Sequence, residues 1–457
     1  MWPASQRSTA LRPAPHRQYA PVPPADPSRP GLYPGEPETC RRHARQFLPV
    51  LAQLGLLLAV FKVYRIEGRA FQMLVAVALA VLPVHYLLPY RLKKPLFVAA
   101  SVAGLAWVFG AATAGVVLAL AALLIGVCYL PIAWVARASI VAALALAFAL
   151  VRSGVAPAGI PENVWPVLGT MFMFRMMVYL YELKHAKKPE TLVDTLSYFF
   201  LLPNYCFLHF PVVDYRTLQR SYFARDIHAV QQAGLSMMFR GTVQLLLYRV
   251  IYHEVLIPPD EVHDTASLAL YLVANYLLYL RVSGQFHMAC GMLHLFGFGL
   301  PETHHNYLLA TGFTDYWRRI NIYWKDFMVR IAFNPVVFRL KRRPQPVALA
   351  TATLVVFLAT WSLHAYQSFW LRGAWGFSGP DALFWGVLGA LVLVNVQLDA
   401  RSKRGRNPKG ASWSPRLLAI RVVKTAATFT TIAVLWSLWS SPSIAAWVGL
   451  MHRGLRF

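Results

Sequence analysis

Two polar residues in hydrophobic surroundings are the strongest candidates for chemistry. His364 lies inside the apolar run 347–370, where an ionisable side chain is costly and indicates a function. Asn321 lies in the segment 315–326, which mixes charged residues with tyrosine and tryptophan. A neutral imidazole can take a proton from a hydroxyl, and an amide can donate to the oxyanion of an acyl carbonyl. The pair therefore predicts acyl transfer, provided that both side chains face one buried site.

The structural alternative for His364 involves no chemistry. The imidazole would then only bond a helix carbonyl or the nearby Tyr366 or Gln367. Trp361, Tyr366 and Gln367 all lie within one helical turn of His364, so we expect them to surround any site there.

Other catalytic and metal-binding motifs are missing from the sequence. The 14 histidines include one adjacent pair, His304–His305, but no HxxxH, HxxHH or HExxH pattern, which argues against a metal site. No GxSxG, SxxK or glycine-rich phosphate loop occurs either. The cysteines are far apart and predict neither a disulfide framework nor a zinc site: Cys40, Cys128, Cys206 and Cys290.

Composition predicts an all-α, polytopic helical membrane protein. The chain has 457 residues, of which 57% are hydrophobic and 14% charged, and its mean hydropathy is +0.46. Several runs reach the roughly 20 apolar residues that cross a bilayer, and backbone bonding in lipid favours helices. The net charge of +25 is concentrated in short loops at 91–94, 340–343 and 401–406. That pattern fits the positive-inside rule and anionic lipids, and nucleic-acid binding is not expected.

The chain divides into a tail and one membrane domain. Residues 1–44 are rich in proline and arginine and are predicted to be a disordered cytoplasmic tail. Residues 45–457 are predicted to form a multipass domain of about eleven helical elements, with a broken or re-entrant segment at 194–223 where Pro203 and Pro211 interrupt an apolar run. Apolar spans are predicted at 46–64, 70–89, 96–110, 112–135, 138–151, 241–257, 266–282, 347–370, 381–398 and 417–439.

Several other polar residues have both a structural and a functional interpretation. Arg175 and Glu182 are seven residues apart, which favours an ion pair over a catalytic role. Asp315 is expected to cap the helix that follows it. Four histidines are candidates for an acceptor path, with satisfied core positions as the alternative: His287, His294, His304 and His305.

The stretch 306–328, NYLLATGFTDYWRRINIYWKDFM, resembles the signature of the membrane-bound O-acyltransferases, in particular their bacterial polysaccharide-acylating branch. The segments 284–302 and 210–218 are similar to motifs of the same branch, and FLATWSLHAYQSFWLRG (357–373) corresponds to the motif that carries the family's catalytic histidine. The resemblance covers about 200–400. The matching residues of the first stretch are Tyr307, Leu308, Ala310, Thr311, Asp315, Trp317, Arg318, Arg319 and Asp326.

This resemblance implies an acyltransferase with a central tunnel in the bacterial inner membrane, no bound cofactor, and a cytosolic acyl-CoA as donor. His364 would be the catalytic base, and Asn321 falls on the family's second polar site position. Ser362, Leu363 and Ala365 replace the glycines that usually flank the histidine, so the chain is a divergent member.

Acetyl transfer to a cell-envelope polysaccharide is the first expectation, together with a periplasmic acyltransferase partner. A lipid acceptor with a longer acyl chain is the second. Arg318, Arg319 and Lys325, with Trp317, are candidates for binding the donor, and ordinary anchoring at the membrane surface explains the three cations as well.

A transporter or flippase is the alternative from another functional class. It would use the broken segment 194–223 and intramembrane histidines as a substrate or proton path. No inverted repeat is visible in the sequence.

Overall fold

The apolar runs of the sequence form long α-helices in the computed structural model, which describes residues 37–40, 43–157, 159–184, 191–207, 213–401 and 414–456. Most of the predicted tail and the basic loop at 402–413 lie outside these described residues. The long helices of the first half are α1 Ala44–Val63, α2 Arg69–Leu87, α3 Tyr90–Phe109, α4 Ala111–Tyr129, α5 Trp134–Arg152 and α6 Val164–Leu183.

The middle of the chain is built from shorter pieces. After α6 come α7 Leu192–Phe199, α8 Tyr215–Ser221, α9 Ile227–Val250, α10 Thr265–Leu277 and α11 Leu280–Leu295. The short helices α12 Phe313–Arg319, α13 Ile322–Met328 and α14 Asn334–Arg339 follow. The chain then returns to long helices, namely α15 Gln345–Arg372, α16 Gly379–Arg401 and α17 Pro415–Trp439, and it ends with α18 Ile444–Gly454.

The prediction of an all-α polytopic membrane protein is confirmed. Ten helical stretches of the described residues are long and apolar enough to span a membrane, and no strand forms among those residues beyond an isolated bridge between Tyr222 and Phe298. The segment predicted to be broken consists of α7, a 3-10 turn at Leu202–Tyr205 and α8, with 208–212 outside the described residues.

The largest differences from the sequence prediction concern α6, which the sequence does not predict as a span, and the boundaries of two later spans. Helix α9 starts at Ile227, well before the predicted start at 241, because Asp226 caps it by accepting the N–H of Ala229 at 3.0 Å. Its first turns carry His228 and Gln231, which are buried against protein, so hydropathy does not detect them as part of a span. The span predicted at 266–282 is instead interrupted at 278–279, between α10 and α11.

The basic loops indicate how the helices are oriented. The first turns of α3 and the loop between α14 and α15 are rich in lysine and arginine, as is the segment between α16 and α17. By the positive-inside rule we infer that these segments face the cytosol. The turn between α1 and α2, the end of α15 and the start of α16 then lie at the outer face.

Helices α9 and α11 approach each other closely through two pairs of glycines. A Cβ at Gly291 would lie 2.5 Å from the carbonyl oxygen of Gly234, and one at Gly241 would lie 2.7 Å from that of Gly284. The glycines of each helix are seven residues apart, so both fall on one helical face. Such small residues allow helix backbones to pack together in a membrane.

The variant Gly291→Ala tests this contact. The added methyl group meets backbone that cannot move aside, so we expect about 1–3 kcal/mol of destabilisation, measured as a lower midpoint of thermal unfolding in detergent. Gly126→Ala is the matched control, because a Cβ there meets nothing within 4 Å. Equal midpoints for the two variants would contradict the packing described.

Candidate active site

A cavity of about 550 Å³ lies among α11, α12, α13, α15, α16 and α17. Nearly half of its lining residues are aromatic, and eight polar or charged residues lie among them. Enclosed apolar cavities with a few polar groups are the usual form of small-molecule sites. The aromatic side chains of the wall are Phe174, Tyr279, Phe286, Tyr316, Trp317, Trp324, Phe384, Trp385, Trp436 and Trp439.

One face of α15 runs along the cavity. His364, Gln367, Ser368, Leu371 and Arg372 all line it, and these positions form a stripe on a helix with 3.6 residues per turn. The stripe extends roughly 12 Å along the helix axis, from His364 to the end of α15. The cavity therefore reaches from the middle of the membrane domain to the end of α15 that we place at the outer face.

Indole rings surround His364 on three sides. The imidazole lies 4.9 Å from the ring of Trp385 in a stacked arrangement, and its centroid is 5.4 Å from Trp324 and 6.2 Å from Trp439. These rings come from α16, α13 and α17, so three other helices fix the histidine. His364 is thus directed into protein and cavity.

Asn321 is positioned by an unusual backbone conformation. It lies between α12 and α13 with φ 40° and ψ 62°, in the left-handed region that asparagine tolerates better than most residues. Its side-chain oxygen accepts the N–H of Trp324 at 3.3 Å and so caps α13. Because the oxygen faces a backbone donor, the amide NH₂ keeps its capacity to donate.

The structure brings His364 and Asn321 to the same cavity, as the sequence interpretation required. Trp317, Lys325 and Gln367 also line it, which agrees with their predicted placement beside the site. Lys325 is buried and forms an ion pair with Asp326 at 2.6 Å, so its cationic group is held in place. What these residues bind stays a prediction.

Four other predicted site residues do not line the cavity. Arg319 donates to Asp315 at 2.7 Å, and Arg318, beside it in the chain, lines no part of the cavity either. Tyr366 packs edge-on against Phe174 on another face of α15. Trp361 acts indirectly, since its indole N–H donates to a carboxylate that does line the cavity.

Two structural predictions need correction. Asp315 does not cap the helix after it; it lies within α12 and accepts the N–H of Thr311 at 3.0 Å, while Asn321 caps α13. Arg175 and Glu182 do not pair either. Arg175 donates to Asn204 at 2.7 Å, and Glu182 pairs with Arg330. The turn at Leu202–Tyr205 and the helical turn after α13 bring these partners closer than the helix spacing brings Arg175 and Glu182.

The four histidines considered for an acceptor path lie outside the cavity wall. His287 bonds Gln244 at 2.7 Å, and His294 donates to the carbonyl of Cys290 in its own helix. His304 shares a hydrogen bond of 2.9 Å with Tyr279, and burial lowers the pKa of His304 well below its usual value. His305 is exposed, near Glu302. These contacts favour structural roles.

Asp381 is the site residue that sequence reasoning missed. It is 7% exposed and lines the cavity from the first turn of α16. Its two oxygens accept the indole N–H groups of Trp361 at 2.5 Å and Trp439 at 2.7 Å. The available signal was an acid at the start of an apolar run, since an acid within a membrane segment is rarely without a role.

The carboxylate of Asp381 retains acceptor capacity, because a carboxylate accepts about four hydrogen bonds and the indoles of Trp361, Trp439 and Trp385 supply at most three. It is therefore able to accept a hydrogen bond from a hydroxyl that enters the cavity. Within the described part of the chain, no group of three or more histidine, cysteine, aspartate or glutamate side chains lies together as a metal site. The site thus combines one imidazole, two amides and one carboxylate with indole walls.

Comparison with known proteins gave no match. No protein-family model matches the sequence, and no curated protein matches it.

Two substitutions test whether the side chain of Asn321 stabilises the protein by capping α13. We expect Asn321→Ala to destabilise the protein by about 1–3 kcal/mol, since it removes the cap and places a Cβ-bearing residue without a local hydrogen bond in the left-handed region. Asn321→Asp should retain most of the stability, because a carboxylate oxygen also caps α13. Thermal unfolding in detergent measures both. If the alanine variant is as stable as wild type, the cap does not hold α13.

Proposed function

We propose that this protein is a membrane O-acyltransferase that moves an acyl group, in the first instance acetyl, from a cytosolic acyl-CoA to a hydroxyl of a cell-envelope polysaccharide. The supporting observation is that His364 and Asn321, carried by different segments, line one cavity. The similarity of 306–328 to the signature of membrane-bound O-acyltransferases supports the same reaction. The proposed location is the inner membrane of a bacterial cell.

The reaction needs only these two groups and correct positioning. His364 takes the proton of the acceptor hydroxyl while the hydroxyl oxygen attacks the thioester carbonyl. The oxyanion that forms accepts a hydrogen bond from the NH₂ of Asn321. The carbon–sulfur bond then breaks, the sulfur of CoA leaves, and the imidazolium returns the proton to it. The products are the acyl ester and CoA thiol, and His364 is neutral again.

Both ends of the cavity carry a cation, Lys325 at one end and Arg372 at the other, but their remaining polar groups differ. Lys325 lies at the end formed by α13, where a cation is suited to the phosphates of CoA. Asp381, Gln367 and Ser368 lie towards the ends of α15 and α16 that we place at the outer face. Carboxylate, amide and hydroxyl groups beside flat indole faces are suited to a sugar, whose ring has apolar faces and hydroxyl edges. The acceptor would therefore enter from the outer side.

The first test uses the purified full-length chain in nanodiscs with radiolabelled acetyl-CoA and a cell-envelope fraction as acceptor. We expect His364→Ala to reduce both label transfer and release of CoA thiol by at least roughly a hundredfold, because the general base is lost. The matched control is His263→Ala, which removes an exposed histidine far from the cavity wall and should transfer label at the wild-type rate.

Transfer by His364→Ala within a fewfold of wild type would refute the catalytic assignment. Turnover with palmitoyl-CoA but not acetyl-CoA would indicate the lipid-acylating alternative. If wild type transfers neither acyl group, the acyltransferase proposal is wrong and uptake assays in vesicles would test the transporter class.

The variant Asn321→Asp isolates the chemical role of the amide. It keeps an oxygen for the N–H of Trp324 but replaces the NH₂ donor with negative charge, which opposes an oxyanion. We expect turnover to fall about a hundredfold while the unfolding midpoint changes little. Wild-type turnover in this variant, measured by CoA release, would show that Asn321 only caps α13.

A further inference from the structure

A second pocket, of about 290 Å³, lies at the outer end of the helices and is separate from the catalytic cavity. It forms where the turn between α1 and α2 meets the end of α9 and the start of α11. The side chains that matter are Arg65, Glu67, Tyr248, Arg249 and Arg281. None of them lines the first cavity.

The pocket carries an excess of positive charge. Three arginines face one carboxylate, that of Glu67. Glu67 pairs with Arg281 through two contacts of 3.4 Å, and the guanidinium of Arg281 also lies 5.5 Å from the ring of Tyr248. Arg65 has no carboxylate partner among the residues that the structure describes. One ion pair therefore leaves two further guanidinium charges at the same opening.

The turn between α1 and α2 holds two residues of this pocket in a strained backbone conformation. Arg65 and Glu67 have φ values of 47° and 56°, in the left-handed region that residues with a Cβ normally avoid. Arg249 fixes the turn by donating to the carbonyl oxygens of Tyr64 and Arg65. Strained conformations persist where the surroundings impose them, and they cluster at binding sites. Here the strained turn places Arg65 among the residues that line the pocket.

These arginines lie at the face opposite to the basic loops, where Lys62, Arg69 and Arg372 add further positive charge. The positive-inside rule leaves outer loops poor in arginine, yet three arginines from three separate segments converge at the outer end of this bundle. Anchoring to the cytosolic surface does not explain them, so their convergence has another cause.

We propose that this pocket binds a phosphate group, with the anionic headgroup of a membrane phospholipid as its source at this depth. A guanidinium presents paired N–H donors that match phosphate oxygens, and arginine is more weakly hydrated than lysine. Arg65 and Arg249 supply the uncompensated charge, and Arg281 is pre-positioned by Glu67 and Tyr248. The site is independent of the acyltransferase proposal.

The variant Arg65→Gln tests the site, and Arg69→Gln is its matched control. Both remove one exposed arginine from the same outer turn, but Arg69 does not line the pocket. The purified full-length chain is placed in nanodiscs of phosphatidylglycerol and phosphatidylcholine in equal parts, and retained lipid is counted by native mass spectrometry. In a second arm, thermal unfolding in detergent compares inorganic phosphate with chloride at equal ionic strength.

We expect wild type and Arg69→Gln to retain more phosphatidylglycerol than phosphatidylcholine. In Arg65→Gln the ratio of retained phosphatidylglycerol to phosphatidylcholine should fall by at least about fivefold. Stabilisation by inorganic phosphate that is lost in Arg65→Gln, without any lipid preference, would identify a soluble phosphate as the ligand. Identical behaviour of the two variants in both arms would overturn the proposal, since it would show either no site or a general surface charge. Unfolding midpoints in chloride verify that both variants fold.

Discussion

This structure depends on one constraint: every backbone N–H and C=O group in the membrane interior needs a hydrogen-bond partner. An unwound peptide group is tolerated at membrane depth only where protein or a cavity covers it. Among the described residues, such stretches lie around Leu202–Tyr205 and between α11 and α15, and long helices pack around both. Because the second stretch is interrupted, the polar and aromatic segment 313–328 comes to face α15. A continuous span could not have placed Asn321 there.

The polar groups of the cavity are stabilised by indoles. Trp361 and Trp439 donate to Asp381, and Trp385 stacks on His364. An indole has an apolar body and a single N–H donor, so it excludes water and lipid while it satisfies a buried oxygen. The indoles thus shield the polar groups from part of the surrounding water, and Asp381 and Asn321 still have acceptor and donor capacity for a ligand.

Much of the fold could be predicted from the sequence because hydropathy determines which helices span the membrane. The apolar runs became α1–α5 and α15–α17 with shifts of a few residues at most of their ends. The sequence predicts only the second part of α9 as a span, since the buried His228 and Gln231 in its first turns contact protein instead of lipid. Hydropathy describes the lipid-facing surface and contains little information about helices that pack in the interior.

The candidate site was predicted less completely. His364 stood out because it is ionisable in an apolar run, and Asn321 because of its neighbours in sequence. Arg318 and Arg319 looked equally suitable, but the direction of a side chain on a seven-residue helix cannot be read from spacing when the helix is flanked by irregular turns. Asp381 escaped attention because its partners come from helices distant in the chain.

The single carboxylate of Asp381 joins α15, α16 and α17, since its two bonds reach Trp361 and Trp439 on either side. Loss of the acid would leave two indole donors in the membrane without an acceptor, and loss of either indole would expose the acid. In homologous chains these three positions should therefore change together during evolution. Joint variation of the three positions would show, from sequences alone, that this contact between the three helices is maintained.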